Sequence, residues 1–209
     1  MMNTPENPLW LADWRRRVSN IYAAVRQNPQ AEDAWNFFRV KRDDLFKTHP
    51  QSPLTDEQKE HFDGLDYYPY QLEWRLDARV DQDVIHETFQ IQLPAEGSFS
   101  YTRIARLNFL YRDESFSLSL FWVNGYGGGL FLPFRDTSNG SGTYGGGRYL
   151  YDGIKGADLN PAPGQFTLDF NFAYNPSCAY NDHWVCPLSP AENRLSLAIT
   201  AGEKQFEHS

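Results

Sequence analysis

The chain is predicted to be α+β and mainly β. Two or three N-terminal helices should pack on about eight mostly antiparallel strands, forming a sandwich or a partly closed barrel. Three observations predict this. Apolar residues recur at spacings of three and four up to about residue 62, then alternate with polar ones from Tyr67 onward. Aromatic residues make up 16% of the chain, with 15 Phe, 12 Tyr and 6 Trp. Rings of this size favour strands and bury large areas. The two regimes mark a helical segment, 1–66, packed on a β-rich core, 67–209, as one globular unit.

The first helix is predicted over Leu9–Gln27, where Leu11, Trp14, Val18, Ile21, Tyr22 and Val25 make one apolar stripe. Pro8 suits its first turn. Asn28-Pro29 ends it, because a proline pushes the residue before it out of helical geometry. A second helix is predicted over Asp33–Lys47, with Trp35, Phe38, Leu45 and Phe46 on one side, and Thr48–Pro53 breaks it. Thr55 and Gln58 form a capping box that opens a short third helix, terminated by Gly64.

The strands expected in order are Leu72–Val80, Ile85–Leu93, Phe99–Tyr111, Phe116–Val123, Gly129–Phe134, Arg148–Tyr151, Gln165–Phe172 and Arg194–Thr200. Arg112-Asp113-Glu114 reads as a hairpin turn and Asn124–Gly128 as a glycine-rich one. No internal repeat is visible.

Charge excludes one class of partner. With 27 acidic against 19 basic residues the net charge is −8, and the only basic run is Arg15–Arg17 on a mixed helix face. Nucleic-acid binding needs a basic surface that displaces counterions, so none is predicted. No run approaches the ~18 apolar residues of a membrane span, and the first residues lack the ~7–15 apolar residues of a signal peptide. The expected compartment is the cytoplasm. Oligomeric state stays open, a homo-oligomer included.

Chemistry-bearing residues concentrate in Thr143–Lys204. The loop from Cys178 to Cys186 holds two thiols, with His183 between them. Zinc usually takes about four ligands, with paired cysteines two to four residues apart. Here the cysteines are eight apart, and no metal is predicted. Free thiols and a disulfide closing the short loop both stay open. No G-x-S-x-G or H-E-x-x-H string occurs. Gly145-Gly146-Gly147-Arg148 lacks the lysine and hydroxyl of a Walker loop and leads into a strand, so the glycines read as turn chemistry.

Arg135 and Arg148 carry planar donor forks suited to carboxylate or phosphate, unless Asp136, Asp169 or Glu192 pairs with them internally. Asp169 and Asn171 should share one side of a strand. If that side is interior, both need partners, and Arg148, Tyr174, Asn175, Glu192 and Asn193 are at hand. The expected ligand-binding set is therefore Arg135, Arg148, Asn171, Tyr174, Asn175, Glu192 and Asn193. The candidate catalytic groups are Asp169, Glu192 and Cys178. No cofactor is predicted. Tyr67, Tyr68, Tyr70 and the tryptophans could stack on a flavin, but such spacings are those of a core.

The strings KRDDLFKTHPQSPL, FDGLDYYPY, LFLPFRDTSNGSGTYGGGRYLYDG, LDFNFAYNPSCAYNDHWVCPLSPAENRL and AITAGEK occur in this order. Through them the chain, from roughly Ala34 to Lys204, resembles the bacterial and archaeal family catalogued as domain of unknown function 1684. The resemblance implies a soluble domain of about this length and implies no activity. It also implies varied residues between the cysteines, which sets His183 outside the shared pattern. The expected function is binding of a small anionic metabolite in a polar, aromatic pocket at one end of the β core. The alternatives are a hydrolytic or flavin-dependent enzyme, and a structural or interaction module whose polar cluster only fixes loops.

Overall fold

The computed structural model describes residues 7–93, 97–159, 164 and 166–207. Helix α1 spans Pro8–Gln27, and the Asn7 side chain caps it by accepting from the Leu9 N–H at 3.0 Å. Helix α2 spans Ala31–Thr48. Helix α3, Asp56–His61, opens with the expected Thr55–Gln58 capping box. The helices use their apolar stripes as the spacing predicts. Tyr22 of α1 meets Phe38 of α2 edge-on at 5.5 Å, and Phe38 continues onto Phe172 at 5.1 Å. Phe46 rests on Tyr180 at 5.0 Å, so α2 seals the helical layer to the loops beyond the sheet. No helix among the described residues is long and apolar enough to cross a membrane.

Seven strands form one antiparallel sheet: β1 Arg75–Asp81, β2 Thr88–Leu93, β3 Gly97–Tyr111, β4 Glu114–Val123, β5 Gly129–Phe134, β6 Arg148–Asp152 and β7 Phe166–Asp169. Their order is β6-β5-β4-β3-β1-β7, with β2 also paired to β3. The β3–β4 hairpin turns through Arg112 and Asp113, both at positive φ (48° and 65°), which matches the right-handed strand twist. A bulge between Arg103 and Ala105 shifts the register, so Tyr101 pairs with Val123 while Leu107 pairs with Leu118. The sheet curls into a half-barrel. The Tyr151 hydroxyl of β6 donates to the Thr167 carbonyl of β7 at 2.8 Å, so the two ends of the strand order meet through a side chain. Leu107, Leu118, Leu132, Phe134, Leu168 and Phe170 fill the interior.

Three expectations are corrected. Leu72–Trp74 is a 3₁₀ turn rather than the start of a strand, and β1 begins at Arg75. The second strand begins at Thr88, not Ile85. Arg194–Thr200 is not a strand, because its backbone groups bond to a loop and to side chains instead of a ladder. Arg194 bridges to Arg135, the Thr137 N–H donates to the Leu197 carbonyl at 3.0 Å, and Ile199 N–H donates to the Asp136 carboxylate at 3.1 Å. Gln165, where the seventh expected strand starts, lies outside the described residues.

Candidate functional site

Arg148 opens β6 with its side chain turned inward and wholly buried. Its Nη2 donates to Asp136 at 2.9 Å and to the Ile199 carbonyl at 3.0 Å. Its Nη1 donates to the Ala201 carbonyl and, at 3.3 Å, to that of Glu203. Burial pulls the guanidinium below its ordinary value, and Asp136 opposes that shift. Asp136 in turn accepts from Ser138 and from the Ile199 N–H. The Asp136–Arg148 pair thus ties the loop after β5 to the C-terminal segment, because the segment's carbonyls complete the guanidinium's bonds.

Asn171, Asn193 and Asn175 also bond backbone. Phe170–Phe172 is a 3₁₀ turn, so Asp169 and Asn171 meet because Asp169 caps that turn and not because they share a strand face. Asn171 accepts from Gln71 N–H at 3.0 Å and donates to the Gln71 carbonyl at 2.9 Å. Burial raises the Asp169 carboxyl, against hydrogen bonds from Asn171 and the charge of Arg75. Asn193, fully buried, pairs with both backbone groups of Ser119 (2.7 and 2.9 Å) and with the Pro133 carbonyl, acting as a rung across β4 and β5. Glu192 contacts Arg103 at 2.6 Å and accepts from Ser119 at 3.1 Å. Asp169 pairs with Arg75 and Glu192 with Arg103, two ion pairs with no common member among the described residues.

Sequence reasoning missed a second buried ion pair. Glu203, 1% exposed, accepts from Arg42 at 2.8 Å, from the Tyr180 hydroxyl, and from the Asn175 N–H at 3.0 Å. Arg42 also donates to the Tyr67 hydroxyl at 2.9 Å and lies over the Tyr174 ring. Its only sequence signal was a charged residue in the AITAGEK string. Tyr174 Oη, Asn175 Oδ1 and Arg148 Nε are buried with no hydrogen-bond partner among the described residues.

Arg135 is placed differently from Arg148. Its backbone is fixed on both sides, N–H to the Asn193 carbonyl and carbonyl to the Leu195 N–H, each at 2.8 Å. Its Nε donates to the Gly146 carbonyl at 3.3 Å, and no carboxylate pairs with it among the described residues. Gly147, at φ 95°, makes room for this crossing: a Cβ there would lie 2.6 Å from the Phe134 carbonyl. Arg194 forms a parallel bridge with Arg135, so the two side chains leave the paired backbones on the same side. Arg194 is exposed and has no ion pair among the described residues.

Next along the same loop, the Tyr144 hydroxyl lies 3.6 Å from Cys178 Sγ, and the Cys178 N–H donates to Cys186 Sγ at 3.4 Å. Both cysteines are half-buried thiols. His183 bonds through its backbone to Asn181. No three His, Cys, Asp or Glu side chains gather as a metal site among the described residues. Two surface hollows form elsewhere, of 280 Å³ between α1 and α2 and of 220 Å³ beside Asp81, Ile85 and Arg103.

The family described as "Protein of unknown function (DUF1684)" matches residues 60–204 of this chain. The chain belongs to this family. The match begins later than the resemblance read from Ala34, so α1 and α2 lie before it. The DUF1684 chain is also similar to the uncharacterized protein from gene locus rrnAC0354 of Haloarcula marismortui, a solution NMR structure. Identity is 37%, over 81% of this chain and 92% of that one, with a TM-score of 0.61. No curated protein matches. The matched segment of the DUF1684 chain carries Asp136–Arg148, both arginines of the surface pair, and both cysteines; Arg42 comes from outside it.

Proposed function

We propose that this chain binds a small anionic group, a phosphate or a carboxylate, between Arg135 and Arg194. The observation that carries the reading is their bridge, from which two arginine side chains leave the paired backbones on the same side, with no carboxylate paired to either among the described residues. Like charges set opposite each other repel, and a bound anion would relieve this. The chain has ample carboxylates to pair them, with a net charge of −8. Guanidinium forks match phosphate and carboxylate oxygens bidentately. Arg135 is also held in place beforehand, by two backbone bonds and its Nε contact to Gly146, so little ordering remains to oppose binding.

Under this reading the seven expected residues and Arg194, which was not among them, act at two depths. Arg148, Asn171, Tyr174, Asn175, Glu192 and Asn193 hold the loops from beneath, and Arg135 with Arg194 meets the ligand. The test is a titration of the labelled full chain with inorganic phosphate and with citrate, followed by amide NMR shifts. Saturable shifts centred on residues 134–136 and 193–195 are expected, weakened about tenfold by Arg135→Gln or Arg194→Gln, roughly 1.4 kcal/mol each. No saturation at millimolar anion, or equal binding by both variants, would end the proposal.

A further inference from the structure

Cys178 and Cys186 take no part in the anion reading, and their surroundings are those of a reactive pair. The Cys178 N–H points at Cys186 Sγ from 3.4 Å, which brings the two ends of the loop together. The Tyr144 hydroxyl reaches Cys178 Sγ at 3.6 Å from a different loop. Neither cysteine is fully enclosed, which leaves a small oxidant a route to the pair, and Cys178 is the less enclosed of the two. We propose that Cys178 and Cys186 are a thiol redox site, in which Cys178 reacts with a hydroperoxide and Cys186 resolves the product as an intramolecular disulfide.

The Cys178 thiolate attacks one oxygen of the hydroperoxide, the O–O bond breaks, and the leaving oxygen takes up a proton as water or alcohol. Cys178 is left as a sulfenic acid. The Cys186 sulfur then attacks the Cys178 sulfur, the S–O bond breaks, and hydroxide leaves with the Cys186 proton as water. Two thiols are oxidised and one hydroperoxide is reduced. Thiol–disulfide exchange with an external dithiol restores the pair.

The Tyr144 hydroxyl contacts Cys178 and not Cys186, which sets the two thiols apart, and the electrostatics agree. A hydrogen bond from Cys186, then one from Tyr144, brings the Cys178 thiol down to about 6, while Cys186 is pushed up and keeps its proton. Burial and the neighbouring Cys178 also push the Tyr144 hydroxyl up, so it stays protonated and donates to the thiolate. The charge of Lys155 favours the Cys178 thiolate as well. Tyr144 is thus a positioning residue for Cys178. The Tyr149 hydroxyl donates to the Pro187 carbonyl, which pins the chain just after Cys186.

The test oxidises the full chain with hydrogen peroxide, blocks remaining thiols with N-ethylmaleimide, and reads intact mass. The wild type should lose 2 Da and both maleimide additions, reversibly with dithiothreitol. Cys186→Ser should trap a dimedone adduct at Cys178, and Cys178→Ser should trap far less at Cys186. In Tyr144→Phe, which keeps the ring packing, the pH midpoint of maleimide labelling at Cys178 should move up. Two maleimide additions surviving peroxide in the wild type would overturn the proposal. So would equal dimedone trapping in both serine variants, since the roles would then be unassigned by the fold.

Discussion

Arg148 and Asp136 form an ion pair removed from solvent: Nη2 lies 2.9 Å from Oδ2, and both side chains are 0% exposed. Such a pair gains little net stability over a well-packed apolar pair, because desolvation offsets the attraction. Here it also specifies a route for the chain. The guanidinium protons left over from Asp136 bond the carbonyls of Ile199, Ala201 and Glu203, which draws the C-terminal segment across the end of the half-barrel.

Arg148→Met should cost about 3–5 kcal/mol, because it leaves the buried Asp136 charge without its cation and takes the guanidinium donors from three carbonyls. Urea denaturation at neutral pH measures this. Adding Asp136→Asn to the Met variant should recover part of the loss, since the stranded charge is then gone. A double variant as unstable as the sum of the singles would mean that the pair is not coupled.

Glu203→Gln should cost about 2 kcal/mol by removing the charge that Arg42, the Tyr180 hydroxyl and the Asn175 N–H address together. Glu203→Ala should cost more, because it also leaves those donors unpaired. Thermal melts of the two variants rank them, and equal melting temperatures would contradict this account of the network.

Asp169 predicts a pH dependence. Burial raises its folded-state value above the ordinary 3.8, so the native state binds a proton more tightly than the unfolded chain. Its contribution is fully present below 3.8 and is lost as pH rises through the raised value. Relative to wild type, Asp169→Asn should therefore gain stability as pH rises from about 4 toward neutrality. Denaturation midpoints across that range test the sign, and parallel curves for the two proteins would refute it.

The helices and most strands were legible because they depend on local period: the α1 stripe, the Thr55–Gln58 cap, and the alternation of Leu76, Ala78 and Val80 along β1. The site was legible only as a composition. Arg148, Asn171 and Asn193 stood out as polar residues in an apolar segment, and all three are buried, as an interior polar cluster requires. What each one bonds was not legible. Glu203 meets Arg42 across 161 positions, and no spacing rule links a charge on a helix to one near the far end of the chain. Arg194 was hidden for a related reason. Its segment has strand-like alternation, but its hydrogen bonds go to the Arg135 loop and to Asp136, and only the fold reveals that choice.

Gly202 is the last pressure point. It lies in AITAGEK at φ 76°, and a Cβ there would come within 2.6 Å of the Phe170 carbonyl and 2.7 Å of the Ala173 carbonyl. The turn after β7 and the C-terminal segment touch at this residue, and the Glu203 N–H bonds the Ala173 carbonyl at 2.9 Å beside it. Gly202→Ala therefore adds a clash with fixed backbone to the left-handed strain. Gly140 is the control: its φ is 82°, but a Cβ there meets nothing within 4 Å. Gly140→Ala should cost only the conformational penalty, about 1–2 kcal/mol. Gly202→Ala should cost at least about 2 kcal/mol more, since the segment must move or the Arg42–Glu203 pair must part. Urea midpoints of the two variants decide the matter. Equal losses would mean that the C-terminal segment yields freely at Gly202, and that Arg148 and Glu203 do not hold it as tightly as their bonds imply.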